Sequence, residues 1–201
     1  GVCNPTTGLA EYAAACNQKL VGAYSYTTET LTPEDADGHG THTASTVAGN
    51  YVTLEYNGIP TTISGVAPHA MVIAYDVCDE AGCYGDSSAA AVQQAILDGV
   101  DVINYSISGG KSPYSDPVEL AFLEAFDAGI FVAASGGNKR TEPTNDGNVN
   151  HLSPWVMTVA ASSHNRKFTN DIDVVLPAAS PWVDMAAIPG SGPLLFPALT
   201  D

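Results

Sequence analysis

The sequence predicts an α/β fold in which helices flank a parallel sheet. Short apolar runs of strand length alternate with segments of helical periodicity, and glycines stand where the helices should end. Each apolar run is continuous, which is typical of strands buried on both faces of a parallel sheet. The predicted strands are 71–77, 100–107, 130–134 and 155–160.

The first helix between these strands is expected over 89–97. Asp86, Ser87 and Ser88 offer N-cap side chains before it, and Gly99 follows it as a C-terminal stop. One face of this helix is apolar and should pack on the sheet. That face consists of Val92, Ala95 and Ile96.

The next helix is expected over 118–127. The tripeptide Ser115-Asp116-Pro117 places an N-cap residue and a first-turn proline before it, and Gly129 closes it. Its apolar positions are Val118, Leu120, Ala121, Phe122, Ala125 and Phe126. The periodicity assigns the charged side chains to solvent. These are Glu119, Glu124 and Asp127.

An earlier segment places a histidine in front of a third helical run. His39 stands between Gly38 and Gly40, and a run of Ala, Thr, Ser and Val with helical character covers 41–48. Another chain can approach the two glycines closely because they have no Cβ. The arrangement exposes an imidazole at the start of a helix, which predicts a general acid–base site.

Small residues cluster directly after two of the predicted strands. One cluster is Ser106-Ile107-Ser108-Gly109-Gly110, and the other is Ala134-Ser135-Gly136-Gly137-Asn138. In open parallel sheets the ligand crevice lies outside the carboxyl ends of the strands. We therefore expect the two clusters to lie side by side, with Tyr75 near the same edge, and to form a groove for another backbone.

Composition excludes several classes of function. The chain of 201 residues is 45% hydrophobic and 14% charged, which indicates one globular domain large enough to bury a core. It carries 6 Lys and Arg against 22 Asp and Glu, a formal net charge of −16, and so has no basic footprint for a nucleic-acid partner. It contains no apolar run of membrane-spanning length, so no membrane span is predicted.

The four cysteines form two local pairs, Cys3 with Cys16 and Cys78 with Cys83. Neither pair has the spacing of a zinc knuckle, and three disulfide pairings are possible. Closing the two short loops is the most economical pairing, and free buried thiols are the alternative. An even number of cysteines fits an oxidising compartment, so we expect a secreted protein.

Four segments resemble sequence blocks of the subtilisin-like serine proteases (subtilases), and they occur in the family's order. Segment 37–50, with Gly-His-Gly-Thr-His-Thr-Ala, resembles the catalytic-histidine block, and 65–75 resembles the family's Gly-Val-Ala-Pro strand. Segment 98–106 resembles its substrate-pocket strand, and 130–138 resembles the strand that ends in the oxyanion-hole asparagine.

The resemblance implies a serine endopeptidase that hydrolyses protein or peptide substrates through an Asp/His/Ser triad. We predict no cofactor, and no metal among the site residues named here. It implies that His39 is the general base and later the general acid, and that Asn138 donates its amide to the oxyanion. It also implies two walls of a substrate groove. They are Ser106, Ile107, Ser108 and Gly109 on one side and Ala134, Ser135 and Gly136 on the other.

The sequence departs from the family pattern in places. The family usually has glycine at the position of Ser108, and commonly Ala-Gly-Asn where 136–138 reads Gly-Gly-Asn. No Asp-Ser/Thr-Gly block precedes His39 and no Gly-Thr-Ser-Met-Ala-like block follows Asn138. We therefore expect residues 1–168 to be a peptidase domain that is incomplete at both ends and inactive alone. The irregular, proline-rich 169–201 should begin an inserted, protease-associated segment.

Two alternatives remain open. One is a zinc site built on His39 and His42, but no Glu follows His39 as in His-Glu-x-x-His, and helix geometry should turn His42 inward. Its further ligands would be Asp35, Asp37 and His69. The other is a domain on a protease fold that binds peptides without cutting them. The sequence of a downstream serine block would distinguish this domain from a protease.

Overall fold

The computed structural model describes residues 1, 3, 15–27, 32–56, 58–138 and 149–163, and the backbone of 169–172 and 188–191. The chain forms two compact units: Gly1–Asn50 with Ser64–Ala161, and Tyr51–Ile63 with Ser162–Asp201. In chain order the described elements are β1 (Leu20–Ser25), α1 (His39–Ala48), β2 (Val52–Tyr56), β3 (Ile59–Ile63), β4 (Val72–Asp76), β5 (Cys78–Asp79), β6 (Gly82–Cys83), α2 (Gly85–Asp98), β7 (Val102–Tyr105), α3 (Pro117–Asp127), β8 (Phe131–Ser135), β9 (Met157–Val159), β10 (Thr169–Ile172) and β11 (Ile188–Ser191).

The first unit is built around the parallel three-stranded sheet β7-β8-β9. Helices α2 and α3 pack on each other beside it, and α3 contacts β8. Phe122 and Ala125 of α3 are fully buried against Val132 of β8, and the Phe122 ring meets the Tyr105 ring edge-on. The predicted α/β arrangement of a parallel sheet with flanking helices is therefore confirmed.

Helix α2 joins this sheet to a second parallel pair, β1 with β4. Its Asp98 carboxylate accepts hydrogen bonds from the hydroxyls of Tyr24, at 3.0 Å, and Tyr75, at 2.7 Å. Near its other end, the Ser88 hydroxyl accepts one from Tyr105 of β7, at 3.0 Å. Tyr75 thus lies in a strand pair separate from β7 and β8, although we expected it at their edge.

The predicted helix limits are confirmed for α3 and corrected for α2. Asp116 caps α3 by accepting from the Val118 N–H at 2.9 Å, and Pro117 is its first residue. Helix α2 begins earlier than expected, after Tyr84, and has no side-chain cap. Its supposed capping residues lie inside the first turn, where the Ser88 hydroxyl donates to the Tyr84 carbonyl at 2.8 Å.

The expectation that the strands are buried on both faces is wrong for the described part of the sheet. Side chains alternate along β8, where Val132 and Ala134 are buried and Phe131 is half exposed. Val102, Met157 and Val159 are also more than half exposed. A continuous apolar run indicates that both faces of a strand are suited to burial. It does not show that another element packs on each face.

Both predicted disulfides are present. Cys3 bonds to Cys16, and Cys78 bonds to Cys83 across the short antiparallel pair β5–β6. Within the part of the chain that the structure describes, no helix is both long and apolar enough to cross a membrane.

The second unit contains two antiparallel pairs. β2 and β3 form a hairpin around Gly58, whose φ of 79° lies in the left-handed region that glycine adopts without strain. We expected the chain to be irregular from residue 169 onward. This expectation is wrong for the strands β10 and β11, which pair with each other. The rest of the proline-rich segment lies outside the described residues.

Candidate functional site

His39 is the first residue of α1, and its side chain is exposed. The N-cap residue Gly38 has a φ of 89° and no side chain to bond the free N–H groups of the helix. Asp35 takes over that role. One of its oxygens accepts from the Gly38 N–H at 2.7 Å, and the other accepts from the N–H and hydroxyl of Thr41, at 2.7 and 2.6 Å.

These bonds keep Asp35 ionised at the start of the helix. The Thr41 hydroxyl, aided by backbone N–H groups, holds the pKa of Asp35 below its usual value of 3.8. A carboxylate is also favoured there by the helix dipole. A metal ion bound by Asp35 would have to replace the hydrogen bonds that Asp35 accepts from Gly38 and Thr41. His42 is exposed, not turned inward, and no group of metal-ligating side chains occurs within the described ranges.

The other end of α1 is anchored by backbone groups of the segment 65–67. The N–H groups of Gly65, Val66 and Ala67 donate to the carbonyls of Gly49, Thr46 and Val47, at 2.9, 3.0 and 2.8 Å. A Cβ on Gly65 would overlap the Gly49 nitrogen and lie 2.7 Å from the Ser45 carbonyl oxygen. The close fit of a glycine against the last turn therefore fixes the helix that carries His39.

The two predicted walls of the groove lie next to each other, as expected. Tyr105 of β7 pairs with Ala134 of β8. The Ser135 hydroxyl reaches across and donates to the Ile107 carbonyl at 3.1 Å. The rest of the first wall is accessible: Ser106 and Gly109 are half-buried, and Ser108 is exposed.

The second wall ends in two glycines and Asn138. The Gly136 N–H donates to the Val159 carbonyl at 2.7 Å, and a Cβ on Gly136 would lie 3.2 Å from that oxygen. Gly137 has a φ of 94°, and a Cβ there would overlap the amide of Asn150. The close contact at Gly136 gives a steric reason for glycine where the family commonly has alanine. The backbone of the two glycines also sets the direction in which the chain continues from β8 to the exposed Asn138.

His39 and Asn138 are carried by different elements of the described chain. His39 lies at the start of α1 and Asn138 follows β8, and no hydrogen bond joins them in the described part of the chain. What the structure brings together is the edge at which the groove is predicted, where Ile107 and Ser135 meet.

A second histidine, not predicted from the sequence, lies behind this edge. His151 is 1% exposed, and Glu119 is fully buried. The His151 Nδ1 atom lies 2.6 Å from Oε1 of Glu119, and Nε2 lies 2.8 Å from the Ile107 carbonyl oxygen. The expectation that Glu119 faces solvent is therefore wrong.

Burial alone would lower the pKa of His151. The hydrogen bonds from its ring to Glu119 and to the Ile107 carbonyl, together with the negative charges of Glu119 and Asp116, outweigh that effect and raise the pKa above 6.5. Because the carbonyl can only accept, Nε2 must carry a proton. The His151 ring can therefore carry a positive charge that the Glu119 carboxylate balances, behind the segment 106–110.

A weak sequence signal for Glu119 exists. Glu119 is three residues before Phe122, so the two lie close together on a helical wheel. His151 gives no such signal, because it stands in an irregular segment 32 residues away from its partner.

Comparison with known proteins gives consistent matches. Residues 7–188 match the sequence model of the Subtilase family of peptidases. The subtilisin-like protease SBT1.6 of Arabidopsis thaliana is 41% identical over 192 residues, which cover 85% of this chain and 24% of that protein. SBT2.1 of the same plant is 35% identical over 213 residues, covering 93% of this chain and 24% of that protein. The chain thus spans about a quarter of the length of these relatives.

Solved structures agree. Sphericase superposes with a TM-score of 0.53 at 25% identity, covering 72% of this chain and 49% of its own. The S41 psychrophilic protease superposes with a TM-score of 0.51 at 29% identity, covering 68% of this chain and 44% of its own.

Proposed function

Because the chain belongs to the subtilase family, we propose that the complete protein containing it is a serine endopeptidase. The observation that carries the proposal is the groove edge, where the segment after β7 and the end of β8 lie side by side and Asn138 follows in an exposed position. The proposal concerns the complete protein, because this chain covers only 24% of its curated relatives.

His39 is assigned the proton transfers. As general base it would take the proton of the nucleophilic serine, and as general acid it would return a proton to the leaving amine. Its exposed ring at the start of α1 suits both steps, because substrate and serine can reach it. The aspartate and serine of the triad are not among the residues identified in this sequence.

Asn138 is assigned to the oxyanion of the tetrahedral intermediate. A side-chain amide can donate a hydrogen bond where negative charge develops, and such a donor acts mainly on the transition state. Asn138 stands directly after the glycine pair that closes the second wall.

The groove is assigned to an extended peptide. Residues 106–109 would pair with it as an added strand, and Ala134, Ser135 and Gly136 would form the facing wall. Ser108 would narrow the rim, because the family usually has glycine there. The two disulfides support a secreted protein, since disulfides persist in oxidising compartments. We further propose that residues 169–201 begin an inserted segment.

The His39 assignment is tested in the complete protein with His39→Ala. We expect kcat on a peptide substrate to collapse with little change in KM, because the proton shuttle is lost and binding is not. The matched control is His42→Ala, which removes the exposed imidazole three residues later on the same helix and should retain activity. If His42→Ala lost activity and His39→Ala kept it, the proton-transfer role would belong to His42 instead.

Asn138→Ala should lower kcat and leave KM nearly constant. In subtilisin, where this donor is well known, its removal lowers turnover by about 10²–10³, and we expect a loss of similar order. A rise in KM at unchanged kcat would make Asn138 a ground-state contact.

A serine-directed covalent inhibitor tests the reaction class directly. The complete protein should be labelled at one serine and lose activity. A protein that binds peptide, is not labelled and does not cleave would instead be a peptide-binding domain on a protease fold.

A further inference from the structure

A buried pair of charged side chains lies directly behind the first wall of the groove. We propose that Glu119 and His151 are positioning residues that hold the peptide-binding segment 106–110 at the sheet edge, a role that rests on the proposed function. The pair touches the wall and not the groove itself, so it would act on substrate only through the wall.

The Ile107 carbonyl of this wall is held by two donors. It accepts from Nε2 of His151 at 2.8 Å and from the Ser135 hydroxyl at 3.1 Å. His151 and Ser135, which both come much later in the chain than β7, thus orient one peptide group of the wall. Apolar side chains of the same size could fill this space, but they could not donate to the carbonyl.

Backbone N–H groups at residues 151 and 152 bind two further carbonyls of the segment 106–110. The His151 N–H donates to the Gly109 carbonyl at 2.9 Å, and the Leu152 N–H donates to the Gly110 carbonyl at 3.0 Å. The carbonyls of residues 107, 109 and 110 are therefore all used within the chain. Their bonds fix the wall from behind, while Ser108 stays exposed to a ligand.

Gly110, at the end of the segment 106–110, packs directly on the Glu119–His151 pair. Its φ is 65°, and a Cβ there would overlap Oε1 of Glu119 and lie 2.6 Å from Nδ1 of His151. The backbone of the wall therefore follows the surface of the pair with no space between them. A movement of either side chain toward Gly110 would therefore press directly on its backbone.

The Glu119–His151 pair is itself held by three hydrogen bonds from the segment 153–158. The Ser153 hydroxyl donates to Oε2 of Glu119, the Trp155 indole N–H donates to the Glu119 carbonyl at 2.8 Å, and the Thr158 hydroxyl donates to the His151 carbonyl. A side chain that positions a substrate wall needs such support, because loosely held groups lose the geometry.

The test compares two substrates of the complete protein. An extended peptide needs the wall, whereas a small ester of a single amino acid needs only the catalytic groups. The variant Glu119→Leu/His151→Leu removes both charges together, which avoids leaving one charge buried alone. We expect kcat/KM on the extended peptide to fall about tenfold or more relative to the ester, since hydrogen bonds to a charged group are lost.

A second double variant distinguishes a positioning role of the pair from a role in packing alone. Glu119→Gln/His151→Gln keeps an amide donor for the Ile107 carbonyl and should recover part of the loss on the extended peptide. An unchanged peptide-to-ester ratio in the leucine variant, or equal failure of both variants, would overturn the proposal. If the leucine variant does not fold, Ser153→Ala decides: it deletes one oxygen behind Glu119 and should shift the ratio in the same direction, and an unchanged ratio refutes the proposal.

Failure of the proposed function gives a different result. A wild-type protein that hydrolyses neither substrate and resists a serine-directed inhibitor would refute the peptidase assignment. A wild-type protein that is active on both, with a ratio insensitive to the pair, would refute only the positioning role.

Discussion

His39 and His151 belong to the same compact unit but are held in opposite ways. The His39 ring is exposed, and the structure fixes it through the backbone of α1, with Asp35 at one end and the segment 65–67 at the other. His151 is buried, and its ring is fixed directly by Glu119 and the Ile107 carbonyl.

The difference indicates what each ring can do. An imidazole that transfers protons during a reaction must be reachable by substrate, so its support has to come from its own helix. An imidazole that holds a wall in place needs fixed partners at both nitrogens, and burial strengthens those bonds. In our proposals, the same residue type thus transfers protons at position 39 and holds a wall in place at position 151.

The largest effect should follow from breaking the buried pair on one side. Glu119→Ala leaves His151 with a charge-bearing nitrogen and no partner in a buried site. We expect a loss of roughly 3–5 kcal/mol in the free energy of unfolding, which is typical when one partner of a buried ion pair is removed. Thermal or urea unfolding of the complete protein measures it.

Glu124→Ala is the matched control on the same helix. Glu124 is exposed, so its removal should change stability by no more than about 0.5 kcal/mol. Equal losses in the two variants would mean that Glu119 contributes as an ordinary surface residue of α3 and that the buried pair has little energetic weight.

The contrast also shows which features the sequence can predict. Asp116 and Gly99 are recognisable because helix caps are set by neighbouring residues. The two disulfides are recognisable because they close short loops. The hairpin β2–β3 is not among the predicted elements, although Asn57-Gly58 between alternating residues is a usual signal for one.

The Glu119–His151 pair could not be predicted in the same way. Helical periodicity assigns a lone charged residue to solvent, and only a partner brought in by the tertiary fold can reverse that assignment. The partner comes from an irregular segment, where no period or cap fixes its direction. The exposed face of the sheet β7-β8-β9 could not be predicted for the same reason. The sequence of a strand does not show which other elements pack on it.

The second largest effect should come from the anchor of α1. Gly65→Ala places a Cβ against backbone atoms of the last helical turn, which cannot rotate away. We expect destabilisation of roughly 1–3 kcal/mol, as for other overpacked sites, and a lower kcat because α1 also carries His39. The control is Gly85→Ala, where the nearest atom is a Val118 methyl at 3.8 Å. Unchanged stability in Gly65→Ala would contradict the proposed anchor.

A smaller effect is expected at the start of the same helix. Asp35→Ala removes the acceptor of three hydrogen bonds, and a lost cap typically costs about 1 kcal/mol. Asp37→Ala removes a single longer bond of 3.2 Å, to the His39 N–H, and should cost less. Thermal unfolding of both variants ranks them, and the reverse order would transfer the capping role to Asp37.

The smallest effects should come from titration, because a change of pH removes a charge without deleting a side chain. The pKa of His151 is raised in the folded protein by Glu119, the Ile107 carbonyl and Asp116, with the Tyr105 ring packed edge-on against it. Its stabilising contribution is therefore complete below about pH 6.5 and is lost as the pH rises through the raised pKa. The pKa of Asp35 is lowered, so its contribution is present above 3.8 and is lost as the pH falls through the lowered value.

The two regions should consequently fail at opposite ends of the pH range. Thermal unfolding between pH 6 and pH 9 should show a decline in the wild-type protein that Glu119→Gln/His151→Gln lacks, because neither amide titrates. As the pH falls below 3.8 through the lowered pKa of Asp35, Asp35→Asn should lose less stability than the wild type, because its amide does not titrate. The acid effect should be the weaker of the two, since Asp35 is exposed and solvent screens its charge. A decline at alkaline pH that persists in the glutamine pair would show that another group, and not His151, controls it.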